Sequence, residues 1–333
     1  MRHGGGSGAE PTGEATDHDG RFHSAAPQPN LHREGRASRT LTRPSSGRRA
    51  VLFVVALALV AAVWEAYKAL GPAKGGSLGG WTILPRTSDT AMPHTWEMAS
   101  RLFDRESRTS ATPIWRVVLA GAWYSFRLAL TGFVIGTAVG VALAAVMARF
   151  QLVKRGLLPY LVASQTVPMI ALAPLVVSWG GKLSLWGWEW PRWLSVAVLG
   201  AFLAFFPVAV GTLRGLESAS ATSLELMRSY AARGSQIMFK QRFPSAVPFM
   251  VPALKLAATA SVIGVVVAEI STGLRGGVGR LIIEYARQAS GDPAKVYTAV
   301  LGAAVLGLAM AGLVAVFDGV IMRRRPQLED GMA

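Results

Sequence analysis

Residues 225–244, ELMRSYAARGSQIMFKQRFP, form a basic, helix-compatible segment between two long apolar runs. One apolar run ends near Val210 and the next begins near Pro252, so the segment lies at one face of a bilayer if both runs cross it. Arg228 and Lys240 indicate that this face is cytoplasmic, because Lys and Arg accumulate in cytoplasmic loops. In a membrane protein, such a segment is a candidate docking surface for a soluble partner.

The composition is that of a membrane protein with several spans. Of the 333 residues, 51% are hydrophobic and the mean hydropathy is +0.37, which is too apolar for an ordinary soluble domain. The net charge of +15 would suit nucleic acid, but Lys and Arg lie in the N-terminal tail, in loops and at the ends of apolar runs. A positive-inside topology accounts for this placement, so no nucleic acid partner is expected.

Six apolar segments predict an all-α membrane protein with about six transmembrane helices. The segments run at about 50–70, 123–147, 157–177, 194–213, 252–269 and 296–322. Residues 1–49 are rich in Gly, Ser, Pro, Arg and His, a composition that predicts a disordered cytoplasmic tail. Residues 50–333 are then one transmembrane domain, with 71–113 as an external connection and 218–248 as a cytoplasmic loop. Basic clusters at 149–155 and 323–325 predict that both termini are cytoplasmic.

Glycines in the second predicted span and prolines in the third each have a structural consequence. Gly132, Gly136 and Gly140 recur every four residues in the second span, which predicts one face packed closely against another helix. Pro168 and Pro174 lie in the third span, where the missing backbone donors favour a kink that can line a pathway.

Few residues point to chemistry carried out by this chain. It has no cysteine, so disulfides and cysteine metal sites are excluded. No histidine lies in an apolar segment, and neither a G-x-x-x-x-G-K-[ST] phosphate loop nor an H-E-x-x-H zinc motif occurs. We therefore expect neither an enzyme nor a cofactor or metal in this chain.

Charged residues within the spans are the remaining candidates. Glu269, near the end of the fifth span, is either a functional charge paired with Arg275 or Arg280, or an interfacial residue that ties down the following turn. Arg127, near the outer end of the second span, could attract an anionic substrate or reach lipid headgroups. Lys255 is interpreted as a topological residue that extends back toward the cytoplasm.

Three motifs, in this order and spacing, resemble one known family. Residues 125–127, SFR, are followed by 165–168, QTVP, and then by the opening segment, in which a Glu at 225, a small residue at 231 and a Pro at 244 fit the EAA loop pattern. Alanine stands at 231 where the family has glycine. Together the motifs resemble the permease subunits of type I ABC importers, in the nitrate, sulfonate, taurine and thiamine-precursor branch.

The resemblance implies an all-helical MetI-like fold in the bacterial inner membrane, with a translocation path between two permease copies, most simply a homodimer. It implies two kinds of partner, ABC ATPase subunits that carry ATP and Mg, and an extracytoplasmic substrate-binding protein. The coupling residues would be Glu225, Arg228, Tyr230, Ala231, Ala232 and Pro244. Among these, Glu225 would cap or pair within the loop, and Pro244 would end the coupling helix and redirect the chain into the bilayer.

The pathway candidates are Gln165, Pro168, Pro174, Arg127 and Glu269. Sulfonate, nitrate, a pyrimidine and riboflavin all remain open as solutes. The alternative functions are a secondary carrier driven by an ion gradient, against which stands the lack of mid-bilayer acids, and a membrane scaffold without transport.

Overall fold

The structure is a computed structural model that describes residues 46–73, 75–78, 81–84, 86–107, 110–185 and 187–323. The chain divides into two units, Met1–Val54 and Val55–Ala333. Of the first unit only the start of a helix is described, so nearly all of the predicted tail at 1–49 lies outside the described residues. The contacts below all belong to the second unit.

Helices make up most of the described chain. They are α1 (Ser46–Leu70), α2 (Thr95–Arg101), α3 (Ile114–Arg149), α4 (Gln151–Ser164), α5 (Met169–Gly180), α6 (Arg192–Glu217), α7 (Ala221–Ser229), α8 (Gly234–Ile237), a π-helical turn (Met238–Arg242), α9 (Phe243–Thr272), α10 (Val278–Ala286) and α11 (Pro293–Arg323). Two short antiparallel hairpins complete it, β1 (Gly76–Leu78) with β2 (Trp81–Leu84) and β3 (Ser184–Leu185) with β4 (Trp188–Glu189).

Five of these helical stretches are long and apolar enough to cross a membrane, and α4 with α5 forms a sixth if that bent pair counts as one span. The prediction of an all-α membrane protein with about six spans is confirmed. The third span is bent, as its prolines predicted, but it is broken into two helices, and α4 and α5 meet at an angle of 102°. Pro168 is the N-cap of α5, with φ −64° and ψ 112°, and a proline disfavours helical backbone in the residue before it.

The core is built where α3, α6 and α9 pack together, and the glycine face of α3 permits the close approach. A Cβ added to Gly132 or Gly136 would lie 2.6 Å or 2.7 Å from the carbonyl oxygen of Ala197 or Ala201 in α6. A Cβ at Gly140 would lie 2.6 Å from that of Phe205. The predicted packing role of this face is confirmed, since backbone meets backbone at each of the three positions.

The connection at 71–113 is fastened to the end of α1. Glu65 accepts hydrogen bonds from the backbone N–H of Thr95 at 2.7 Å and from its hydroxyl at 2.8 Å, so this carboxylate holds the start of α2. One turn later, Lys68 Nζ lies 2.7 Å from Asp89 Oδ1. The bond from Lys68 lowers the pKa of the exposed Asp89 carboxyl below its usual value.

A polar cluster joins the same connection to α10 and α11. Arg101 pairs with Asp292 at 2.7 Å, and this bond raises the pKa of the guanidinium. The Tyr285 hydroxyl donates to Glu106, and burial together with that carboxylate raises the pKa of the phenol. The buried Lys295 donates to the backbone carbonyl of Glu106 at 2.8 Å. These bonds fix the connection against the last two helices.

Candidate functional site

The loop at 218–248 begins with α7, whose N-terminus is capped locally. Ser220 is the N-cap, and its Oγ accepts from the backbone N–H of Ser223 at 3.2 Å. Glu225 lies in the middle of α7, and its exposed carboxylate makes no hydrogen bond or ion pair with any described residue. The expectation that Glu225 caps or pairs within the loop is therefore wrong, because a serine five residues earlier already meets the free N–H groups.

The C-terminus of α7 closes in a Schellman turn centred on Ala231. The Ala231 N–H donates to Arg228 O at 2.9 Å, and the Ala232 N–H donates to Met227 O at 3.0 Å. Ala231 has φ +51° and is the only residue other than glycine with positive φ in the described part of the chain. Glycine is the usual residue here, because a Cβ in left-handed backbone costs roughly 1–2 kcal/mol. The glycine of the EAA pattern thus has a physical role, and alanine performs it under strain.

Beyond the turn, the chain does not leave helical backbone until the far side of the span. The helical run is 39 residues long, from Gly234 to Thr272. Pro244 lies in the first turn of α9 rather than at the end of a helix. The expectation that Pro244 ends the coupling helix is wrong, because the π-helical turn lets the Phe243 N–H reach Met238 O and carries the helix past the proline.

The surface of the loop combines charge with exposed apolar groups. Leu226 in α7 and Tyr230, the C-cap residue directly after it, are 57% and 80% exposed, and their four-residue spacing puts them on one side of the helix. Arg228 is exposed as well. Sequence reasoning missed Phe239, which is 70% exposed and stacks on Phe243 with ring centroids 5.6 Å apart. Its signal in the sequence is a large apolar residue directly before Lys240 in a basic segment.

One polar contact connects this loop to α3, and an ion pair beside it joins α4 to the end of α6. Arg242 Nη1 donates to Ala148 O at 3.1 Å, and this carbonyl belongs to the last turn of α3. Lys154 Nζ, in α4, lies 2.6 Å and 2.8 Å from the two carboxylate oxygens of Glu217 at the end of α6. A displacement of the loop would therefore act directly on α3.

A cavity of about 560 Å³ lies between α6 and α9 next to the break in the third span. Of the predicted pathway residues, only Gln165 lines it, whereas Pro168 and Pro174 do not. Arg214, which the sequence did not single out, also lines it. Its signal in the sequence is a basic residue directly after the apolar segment at 194–213.

Glu269 lies elsewhere, fully buried between α3, α9 and α10. Its carboxylate accepts from Ser125 Oγ at 2.7 Å and 2.9 Å, and from the backbone N–H of Gly279 at 2.9 Å. The predicted pairing with Arg275 or Arg280 is wrong, because the hydroxyl and the free N–H groups at the start of α10 satisfy the carboxylate. The structure brings Glu269 to the turn after α9, not to the cavity.

Arg127 and Lys255 in the spans do not line the cavity either. The Arg127 guanidinium lies over the Tyr124 ring, 5.6 Å from its centroid, in a groove formed by α3 and the turn before α10. Lys255 Nζ lies 2.6 Å from Asp318 Oδ2, so it pairs with α11 instead of extending freely. Sequence reasoning overlooked Asp318, although a carboxylate inside the sixth span was a visible signal.

Sequence comparison identifies the family. Residues 136–323 match the family described as binding-protein-dependent transport system inner membrane component, and this region is more than half of the 333 residues. The chain belongs to this family, whose members are multi-pass inner-membrane components of transport systems. The resemblance to ABC importer permeases is thereby confirmed.

Relatives with assigned names lie in the expected branch. The formylaminopyrimidine transport permease protein ThiX of Halalkalibacterium halodurans is 36% identical over 138 residues, covering 41% of this chain and 52% of that protein. The riboflavin transport system permease protein RibX of Chloroflexus aurantiacus is 27% identical over 135 residues, covering 40% and 47%. A Bacillus subtilis protein provisionally named as the aliphatic sulfonates permease SsuC is 29% identical over 204 residues, covering 61% and 69%. The chain spans about half the length of the first two relatives.

A solved chain of an amino acid ABC transporter crystallised with histidines aligns with a TM-score of 0.48 and 16% identity. The alignment covers 61% of this chain and 93% of the solved one.

Proposed function

We propose that the chain is the membrane permease subunit of an ATP-driven importer and forms the translocation path for a small solute. The observation that carries the proposal is α7, a short capped helix with Leu226 and Tyr230 exposed on one face. An amphipathic helix of this kind is suited to a hydrophobic groove on a partner. Its C-terminal turn at Ala231 falls at the small residue of the EAA loop pattern on which the resemblance rests.

The partners follow from the same proposal. Two ATPase subunits would bind ATP and Mg and receive α7 from each of two permease copies, most simply as a homodimer. An extracytoplasmic binding protein would deliver the solute to the opposite face, and both termini would be cytoplasmic. The chain itself would carry no cofactor and perform no hydrolysis.

The coupling would be mechanical. When the ATPases close, α7 would move with them, and Arg242 would transmit the motion to the end of α3 through its bond to Ala148 O. From Gly234 onward, the helical run to Thr272, which includes the π-helical turn, continues from the loop into α9. Rigid-body movement of the spans would then convert an inward-open into an outward-open path.

The solute would be a small molecule of the sulfonate, nitrate, pyrimidine or riboflavin class. The relatives' names support this range, since they refer to formylaminopyrimidine, riboflavin and aliphatic sulfonates.

A matched pair of tyrosines tests the docking surface. Tyr230 at the C-cap of α7 and Tyr160 in α4 are 80% and 75% exposed, so Tyr230→Ser and Tyr160→Ser remove similar exposed rings. The tagged full chain is purified in mild detergent from cells that also express its ATPase, and ATP hydrolysis is measured in the eluate. We expect Tyr230→Ser to lose the activity and Tyr160→Ser to keep it.

Equal activity in both variants would contradict docking through α7. Solute uptake into proteoliposomes that requires an ion gradient but no ATP would replace the proposal with a secondary carrier.

A further inference from the structure

The cavity between α6 and α9 has the size of a small-molecule site. Its volume of about 560 Å³ falls within the range of about 300–1,000 Å³ typical of ligand pockets. Its walls are mostly apolar, and Phe206 from α6 and Phe249 from α9 supply two aromatic rings. A flat apolar body would therefore be well accommodated there.

The cavity contains one cation that the protein itself does not neutralise. Gln165 and Arg214 are the two residues with polar side chains among the described residues that line it. Arg214 is exposed where it lines the cavity, and its guanidinium makes no hydrogen bond or ion pair with any described residue. Glu217, one turn further along α6, is already paired with Lys154. An unpaired guanidinium offers five N–H donors in a planar array that suits a carboxylate or a sulfonate.

Two prolines in the cavity wall leave backbone carbonyl groups available to accept hydrogen bonds. Pro207 and Pro252 have no N–H, so each leaves the carbonyl four residues earlier, that of Leu203 or Pro248, without its usual helical donor. Both of those residues line the cavity. Together with the Gln165 amide, these carbonyls provide polar contacts along the edge of a flat solute.

We propose that this cavity is a solute subsite for a small, flat organic acid. Its carboxylate or sulfonate pairs with Arg214, its ring lies against Phe206 and Phe249, and its polar edge meets Gln165. The proposal rests on the proposed function only for its place on a translocation path, since binding is a property of this chain alone. It narrows the solute range toward organic anions, because an apolar space of this size is far larger than nitrate requires.

The test uses the purified full chain in nanodiscs of phosphatidylcholine, which has no net charge to compete for Arg214. Isothermal titration compares benzenesulfonate and benzoate with benzamide, which has a similar ring without the charge. We expect both anions to bind, and benzamide to bind about 10- to 100-fold more weakly, as the loss of a charge-assisted hydrogen bond predicts.

Three variants identify the site. Arg214→Gln is expected to weaken benzenesulfonate binding about 10- to 100-fold. Leu256→Trp, which fills the cavity from α9, is expected to abolish it. Arg155→Gln removes an exposed cation of α4 that does not line the cavity, and is expected to change nothing. Elution volume and thermal midpoint verify that each variant is folded.

The absence of benzenesulfonate binding to the unmodified chain would overturn the proposal. So would unchanged binding in Arg214→Gln, or an equal loss in Arg155→Gln, which would indicate general attraction to positive charge. Since no ATPase is present, these outcomes are independent of whether the chain couples to one. If the proposed function were wrong, solute uptake would not depend on ATP, although the chain would still bind the anions.

Discussion

Ser125 Oγ lies 2.7 Å from Glu269 Oε1 and also accepts the backbone N–H of Val278 at 2.9 Å, so one hydroxyl joins α3, α9 and the start of α10. All three groups are buried. A carboxylate at a helix N-terminus is favourable because the free N–H groups there carry partial positive charge. These hydrogen bonds indicate that Glu269 stabilises the turn after α9.

Replacing Ser125 tests this assignment. Ser125→Ala leaves the Val278 N–H without its acceptor and removes a donor from Glu269, which should cost about 1–3 kcal/mol of stability. Thr131→Ala, on the same helix, removes only an exposed bond to Arg127 O and should have little effect. Thermal unfolding of the detergent-solubilised chain measures both, and equal midpoints would contradict the assignment.

Glycine packing between α3 and α6 gives a second prediction. Gly136→Val places a side chain against the Ala201 carbonyl oxygen, where a Cβ alone would lie 2.7 Å away, and overpacking of this kind should cost about 1–3 kcal/mol or more. Gly307 in α11 has nothing within 4 Å of an added Cβ, so Gly307→Val is the matched control. The yield of monodisperse protein and the thermal midpoint should both fall for the first variant only.

The strained turn at Ala231 predicts a gain in stability. Ala231→Gly should relieve about 1 kcal/mol of left-handed strain, whereas Ala232→Gly, one residue later at ordinary φ, should not stabilise the loop. Hydrogen exchange of the Ala231 and Ala232 amides reports on this turn directly, because their N–H bonds close it. Slower exchange is expected in the first variant, and unchanged or faster exchange would show that the backbone is not strained there.

Coupling can be separated from folding with two further substitutions in the same loop. Charge reversal in Glu225→Arg and bulk in Ala231→Leu should lower the solute uptake per ATP hydrolysed, because both alter the loop that would transmit the movement, neither removes the exposed Tyr230 ring, and neither contacts the core. Arg155→Glu, a reversal at an exposed position in α4, is the control. Solute uptake and ATP hydrolysis are measured in proteoliposomes. Unaltered uptake in both loop variants would show that Glu225 and Ala231 do not take part in coupling.

The sequence was informative where the physical signal is local. Hydropathy predicted the spans, and four-residue spacing predicted the packed face at Gly136, because both depend on neighbours along one helix. It could not give the partner of Glu269, since Ser125 lies 144 residues away in the chain. The two prolines of the third span were visible, but whether they kink or break a helix depends on what packs against it. Arg214 directly follows the fourth apolar segment, and only the packing of α9 against α6 makes it a cavity residue.

The Lys255–Asp318 pair gives the last prediction. Its Nζ and Oδ2 atoms are 2.6 Å apart between α9 and α11, in segments apolar enough to lie in the membrane. Removing one partner leaves a charge without compensation in an apolar setting, which should cost more than removing both. In a double-mutant cycle, Lys255→Met and Asp318→Leu should each lower the thermal midpoint, and the double variant should recover part of the loss. Additive losses would mean that the two charges are solvated independently, as an interfacial lysine extending to water would be.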